Sequence, residues 1–371
     1  MELFKLGSKI FKYDTFNDFV HEFKIESTDL IITNQFIYDP IIKESDAKCN
    51  VIFQERYGNG EPSDEMMNGI LNEAKKYDFK RIIAIGGGTV IDIAKILVLK
   101  DIVDVKDAFE RKVPLLKGKT LIAVPTTCGT GTEVTNISIA EIKSKKTKMG
   151  LAVPELFPDA AVLIPEFLKN LPYKFYMYSS IDALIHATES YLSPKANTYT
   201  KLYAVKAIET ILDIYINMKK FGEEYRFERL EDILVASNCA GIAFSNTGVG
   251  AVHALSYPIG GKYHVPHGLS NYLFFTEIFK LYVKKNPSGT IKELNRILSG
   301  ILDCDTFDVY DKLEMLLGKL LQKERLSSYG MKEREVEEFA KSVIANQQRL
   351  LANNYVPLSD KEIENIYRIL L

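Results

Sequence analysis

"RIIAIGGGTVIDIAKILVLK", residues 81–100, decides the architecture of the first half of the chain. It opens as a short apolar run of strand type and closes with helical spacing, and Gly86, Gly87 and Gly88 stand between the two. Glycines at such a junction let the backbone approach a ligand closely. The free N–H groups and dipole of the following helix favour an anion such as pyrophosphate. The fingerprint G-x-G-x-x-G is not completed, because Ile91 stands where the third glycine belongs. On spacing alone, the glycines equally suit a turn that serves packing.

The surrounding sequence repeats the rhythm. "DLIITN" (29–34), "NVIFQE" (50–55) and "TLIAVPTT" (120–127) read as strands, and "PSDEMMNGILNEAKKYD" (62–78) as an amphipathic helix with Ser63 as its N-cap. Strand and helix in alternation predict a mostly parallel sheet covered on both faces. "AVPTTCGTGTEVT" (123–135) puts hydroxyl and small residues after a strand end, which suits phosphate and ribose hydrogen bonding. It lacks the lysine and spacing of a Walker A loop. Two such loops at neighbouring strand ends form a crevice, and a dinucleotide is long enough to span both.

Beyond about residue 176 the strand-type runs thin out and helical periodicity takes over. The expected division is therefore an α/β Rossmann-like dinucleotide-binding domain over 1–176 and an all-α, metal-binding domain over 177–371. A chain of 371 residues supports two domains on length alone.

The helical half holds four of the five histidines. In "IDALIHATES" (181–190), Asp182 and His186 are four apart and share a helix face. His253, His264 and His267 lie in "HALSYPIGGKYHVPHG" (253–268), where Pro258, Gly260, Gly261 and Pro266 are expected to break any helix. Asp182 with up to three imidazoles would suit Fe²⁺, Zn²⁺ or a similar divalent ion. His21, in "FNDFVHEFK", reads as a surface residue. Any one of the other histidines, taken alone, would read as a satisfied interior side chain.

Composition excludes several classes. A net charge of -2 offers no basic face for nucleic acid. Cys49, Cys128, Cys239 and Cys304 are widely spaced without a C-x-x-C pair, so neither a disulfide framework nor a thiolate zinc site is expected. No signal peptide and no apolar run of bilayer length stand out, and a soluble cytoplasmic protein without membrane partners is expected.

The segments "GGGTVIDIAK", "PTTCGTGTE", "DALIHATESYLS", "AGIAFSNTGVGAVHAL" and "PHG", in this order and spacing, resemble the iron-containing (group III) alcohol dehydrogenase family over essentially the whole chain. The resemblance implies the dehydroquinate synthase-like fold of that family, with the active site in the cleft between its two domains. By motif position it gives Asp182, His186, His253 and His267 the metal-ligand roles. Gly87, Gly88 and Thr89 take the pyrophosphate role, Thr126, Thr127 and Thr130 line the cofactor, and Lys148 stands near the nicotinamide ribose. Asp92 also matches and reads as ordering the loop.

Two departures stand out. Many relatives carry a second histidine four residues after the third ligand; here Tyr257 occupies the position, and His264 becomes a candidate substitute in proton relay. NAD-selective relatives often carry Asp at the end of the second strand; here Asn34 repels no 2′-phosphate, so NAD is expected with NADP left open. Within the family, "HALSYPIGGKYHVPHG" looks most like enzymes of 4-hydroxybutyrate and succinate semialdehyde. Lys262, Tyr257, Tyr263 and His264 are the candidates to hold such a substrate's carboxylate.

The expected chemistry is hydride transfer between a primary alcohol or aldehyde and a nicotinamide cofactor, with a divalent ion, Fe²⁺, Zn²⁺ or Mn²⁺, acting as Lewis acid. A homo-oligomer, a dimer, is expected. The alternatives are a dehydrogenase of uncharged alcohols such as butanol or 1,3-propanediol and, from another class, a non-haem iron oxygenase. The oxygenase would have no use for two anion-cradling loops.

Overall fold

A computed structural model describes residues 2–145 and 147–371. The chain forms two compact units, Leu6–Leu171 and Pro172–Leu371, the latter joined by Met1–Lys5. The first residues join the helical unit through hydrogen bonds. The Lys5 N–H donates to Asn246 Oδ1, and Asn197 Nδ2 donates to the Leu3 carbonyl.

In the first unit, β1 (Lys9–Lys12), β2 (Asp29–Thr33), β3 (Asn50–Phe53), β4 (Arg81–Gly86), β5 (Thr120–Pro125) and β8 (Ala160–Leu163) form one sheet in the order β1-β8-β5-β4-β2-β3. Every pairing is parallel. Side chains alternate between two cores. Ile82 and Ala84 of β4 join one face with Leu30, Ile32, Leu121 and Ala123, while Ile83 and Ile85 join the other with Ile31, Ile122 and Val124. Burial on both faces explains why these strands read as unbroken apolar runs. Asp29, fully buried, accepts two hydrogen bonds at 2.6 Å from Arg81 and locks the facing ends of β2 and β4. β6 (Ile137–Ile142) and β7 (Thr147–Ala152) form a separate antiparallel pair that the sequence reading did not assign.

The chain steps from β2 outward to β3, then returns to β4 on the other side of β2. The C-terminal ends of β2 and β4 therefore flank the switch point where ligands of open α/β sheets bind. Asn34 follows one of these ends and Gly87 the other.

The second unit is helical. Its central helix, Tyr173–Leu192, is buried at every position from Ser180 to Leu192 and packs against the helices Thr198–Phe221, Leu230–Thr247 and His267–Lys285. No helix among the described residues is long and apolar enough to cross a membrane.

One expectation fails here. Pro258, Gly260 and Gly261 do not break the chain, because a single helix runs from Ala251 to Tyr263 through all three. Proline removes only its own N–H bond, and the buried residues Leu255 and Ile259 on either side hold the helix by packing. The reversal comes later, at His264, whose left-handed φ of 55° ends the helix, and at Pro266, which precedes the next one.

Candidate functional site

Asp182 and His186 occupy one face of the central helix, four residues apart, and both are buried. His253 comes from the first turn of the helix Ala251–Tyr263, and His267 is the first residue of the helix His267–Lys285. One donor atom from each of these four lies within 4.8 Å of the other three. Nε2 of His253 is 3.8 Å from Asp182 Oδ1, and Nε2 of His267 is 3.9 Å from the same oxygen. His186 and His253 bring their Nε2 atoms to 3.0 Å, with their rings stacked at 4.8 Å. Phe244 stacks on His186 at 4.4 Å.

Neighbours fix these side chains. Asn271 Nδ2 donates to Asp182 Oδ1 at 2.7 Å, and Asn271 Oδ1 accepts from Ser256. Glu189 Oε2 lies 2.7 Å from His253 Nδ1. Gly268 allows close approach, since a Cβ there would meet the Tyr178 carbonyl oxygen at 2.1 Å. That contact explains the glycine of "PHG": any larger residue would push His267 away from the Asp182 helix.

Burial raises the Asp182 carboxyl pKa, but the charges of His186, His267 and His253 and the bond from Asn271 outweigh it, and the group sits below its ordinary value. Burial lowers His253, while Glu189 and Asp182 more than reverse this, so the imidazole sits above its ordinary value. A buried carboxylate facing three imidazoles at 3.8–3.9 Å is held by charge rather than by direct hydrogen bonds from them. One carboxylate and three ring nitrogens, without thiolate, are the donor chemistry of a divalent first-row cation. The residues fit such an ion.

In the first unit, Gly87 starts the helix Gly88–Leu97 without a side-chain cap. The three glycines serve different ends. A Cβ at Gly86 would strike Val90 at 2.6 Å, one at Gly88 would press on Thr130 at 3.1 Å, and one at Gly87 would meet nothing closer than 3.5 Å. Packing demands the first, while the second brings the 126–132 loop against the helix start. The N–H of Thr126 donates to the Gly86 carbonyl, and Thr127 lies beside Gly87. Thr89 Oγ1 donates to the Gly60 carbonyl at 3.0 Å.

Asp92 orders this region, as the sequence suggested. It accepts from Thr132 Oγ1 at 2.5 Å and from the Ile139 N–H at 3.1 Å. Lys95, fully buried, donates to Thr132 Oγ1, Thr135 Oγ1 and the Ile137 carbonyl. Burial pulls its ammonium pKa down against the charges of Asp92 and Glu133.

Asn34 is buried beyond the end of β2, and its Nδ2 donates to Gln54 Oε1 and to Glu55 Oε2 at 2.9 Å. Glu55 Oε1 also accepts from the Gln35 N–H. Glu55, just past the end of β3, thus sets a carboxylate against the Asn34 amide. Lys148, on β7, pairs with Glu61.

The relay and anchor candidates are placed less centrally. Tyr257 is half-buried, its ring centroid 6.2 Å from that of His267. His264 is exposed and, among the described residues, makes no hydrogen bond to the four-residue cluster. Lys262 Nζ and Tyr263 Oη both donate to Glu335, at 2.5 and 2.8 Å. Both are therefore already engaged by a carboxylate of the chain itself.

Glu189, Asn271 and Glu55 escaped the sequence reading. Glu189 alone left a signal, standing three residues past His186 on the same helix face.

These sites and the fold define the class. The iron-containing alcohol dehydrogenase pattern matches residues 9–165, and the C-terminal pattern of the Fe-containing alcohol dehydrogenase family matches residues 176–371. The chain belongs to the iron-containing alcohol dehydrogenase family. It is 57% identical over 368 residues, 99% of each chain, to the 4-hydroxybutyrate dehydrogenase of Clostridium kluyveri. In fold it is similar to the sulfoacetaldehyde reductase of Bifidobacterium kashiwanohense, solved with NAD+, at a TM-score of 0.86 and 21% identity, covering 99% and 98% of the two chains. An Oenococcus oeni alcohol dehydrogenase matches both chains in full, at a TM-score of 0.86 and 20% identity.

Proposed function

We propose that this alcohol dehydrogenase interconverts 4-hydroxybutyrate and succinate semialdehyde with NAD, using a divalent cation held by Asp182, His186, His253 and His267. The convergence of those four donors within 4.8 Å carries the reading, and the 57% identity to the Clostridium kluyveri enzyme supports the substrate. The NAD+ complex of the Bifidobacterium protein supports the cofactor.

Bound there, the cation would supply Lewis acidity toward the substrate oxygen, and the nicotinamide would supply the hydride acceptor. The chain's own residues do the rest. Asp182 offsets the cation's charge from a buried position, and Asn271 keeps its carboxylate turned toward the histidines. Phe244 walls the cluster on the side of His186. The uncapped N–H groups after Gly87 and the hydroxyls of Thr126, Thr127 and Thr130 hold the pyrophosphate and ribose. The phenol of Tyr257, whose ring lies 6.2 Å from that of His267, is the hydrogen-bonding group offered to the substrate's hydroxyl. Glu55, beside Asn34, puts a negative charge where a 2′-phosphate would lie and so favours NAD over NADP. Four free thiols, with no disulfide among the described residues, suit the cytoplasm.

Following NADH absorbance with 4-hydroxybutyrate, 1-butanol, 1,3-propanediol and ethanol tests the reading. The expected result is the highest kcat/KM for the hydroxy acid. A clear preference for 1-butanol would replace the substrate, and full activity after chelator treatment would remove the cation.

A further inference from the structure

Glu189 stands seven residues after Asp182 on the central helix, so Asp182, His186 and Glu189 share one face. Its side chain is 2% exposed. Both oxygens are spent on the start of a single neighbouring helix. Oε1 accepts the Val252 N–H at 2.7 Å, and Oε2 lies 2.7 Å from His253 Nδ1. A carboxylate has no hydrogen to give, so in the neutral ring Nδ1 carries the hydrogen and Nε2, facing His186, keeps the lone pair.

The helix start is built around this contact. Gly250, its N-cap residue, has no side chain to cap with. The first N–H groups go to Asn354 Oδ1, from Ala251 at 3.2 Å, and to Glu189, from Val252. A Cβ at Gly250 would lie 3.0 Å from Asn354 Oδ1 and 3.2 Å from Glu189 Oε1, so only glycine leaves both acceptors their room.

We propose that Glu189 is a positioning residue that fixes the tautomer and orientation of His253, so that Nε2 is presented as a donor to the cation. The inference rests on the reading of the four-residue cluster as cation ligands. A glutamine at 189 has one acceptor oxygen for two donors. With its oxygen on Val252, its amide faces Nδ1 and drives the imidazole hydrogen onto Nε2, which blocks the donor.

The test compares metal-free wild type with Glu189→Gln, Asn354→Ala and His253→Ala, titrating Co²⁺ and recording its visible bands, with Zn²⁺ competition against a chromogenic chelator. Glu189→Gln is expected to bind about 10–100-fold more weakly and to shift the Co²⁺ bands. Asn354→Ala, which loosens the same helix start without touching the ring, is expected to bind nearly as wild type does. Wild-type affinity and spectrum in Glu189→Gln overturn the proposal, as does equal weakening by Asn354→Ala, which would reduce the effect to helix fraying. If Glu189→Gln does not fold, Glu189→Asp carries the test: it keeps the charge but shortens the reach, and undiminished Co²⁺ affinity there overturns the proposal. Failure of the ligand reading looks different, because wild type and His253→Ala would then bind Co²⁺ alike.

Discussion

The Nε2 atoms of His186 and His253 face each other across 3.0 Å, although the residues are 67 positions apart in the chain. Two buried nitrogens this close, beside a buried carboxylate, fit the proposed cation. Adding Fe²⁺ or Zn²⁺ to chelator-treated protein should stabilise it by about 2.7 kcal/mol at a hundredfold excess over Kd. His253→Ala should abolish the shift in thermal melting and reduce kcat/KM by at least ~100-fold. An unshifted melting curve for wild type would remove the cation from the account.

Gly268 lets the His267 helix touch the Asp182 helix at the Tyr178 carbonyl. Gly268→Ala must displace backbone, not a flexible side-chain tip. A loss of about 1–3 kcal/mol or more in denaturant unfolding is expected, together with weaker cation binding, since His267 moves with the helix start. Wild-type stability would show that this contact is looser than described.

Lys95 is a fully buried cation whose nearest carboxylate, Asp92, lies 3.4 Å away. Removing one charge of such a pair strands the other. Lys95→Met should therefore destabilise the first unit by about 3–5 kcal/mol, and the double variant Asp92→Asn/Lys95→Met should recover part of that loss. Both should raise the KM for the dinucleotide, because Thr132 loses the Lys95 ammonium. Strict additivity in the double variant would argue against coupling.

Glu335 receives Lys262, Tyr263 and the Lys332 N–H, and these contacts hold its carboxyl down at about 2, from an ordinary 4.5. A depressed carboxyl stabilises the fold fully above its unfolded pKa and loses that contribution as pH falls through its folded one. The stability gap between wild type and Glu335→Gln should thus be constant above pH ~5 and narrow from about 4.5 toward 2. Lys262→Ala should likewise lower stability without favouring 1-butanol over 4-hydroxybutyrate. A selective rise in KM for the hydroxy acid would return Lys262 to the substrate.

Glu55 places its carboxylate against the Asn34 amide at the switch point. Glu55→Gln should narrow the preference for NADH over NADPH, measured by fluorescence binding, by roughly tenfold, the scale of one charge contact of about 1.4 kcal/mol. An unchanged ratio would put selectivity elsewhere.

Local patterning carried much of this molecule. The apolar runs of β2, β4 and β5, the glycine junction at 86–88 and the four-residue spacing of Asp182 and His186 are legible because strand and helix periods set them over a few residues. The helix through Pro258 was not legible, because burial of Leu255 and Ile259 overrode a local breaker. Nor could the sequence show that Glu55 meets Asn34, that Glu335 takes Lys262, or that Glu189 reaches His253. Those pairings join different elements, and which faces of two elements meet is decided by packing over the whole unit rather than by spacing along either one.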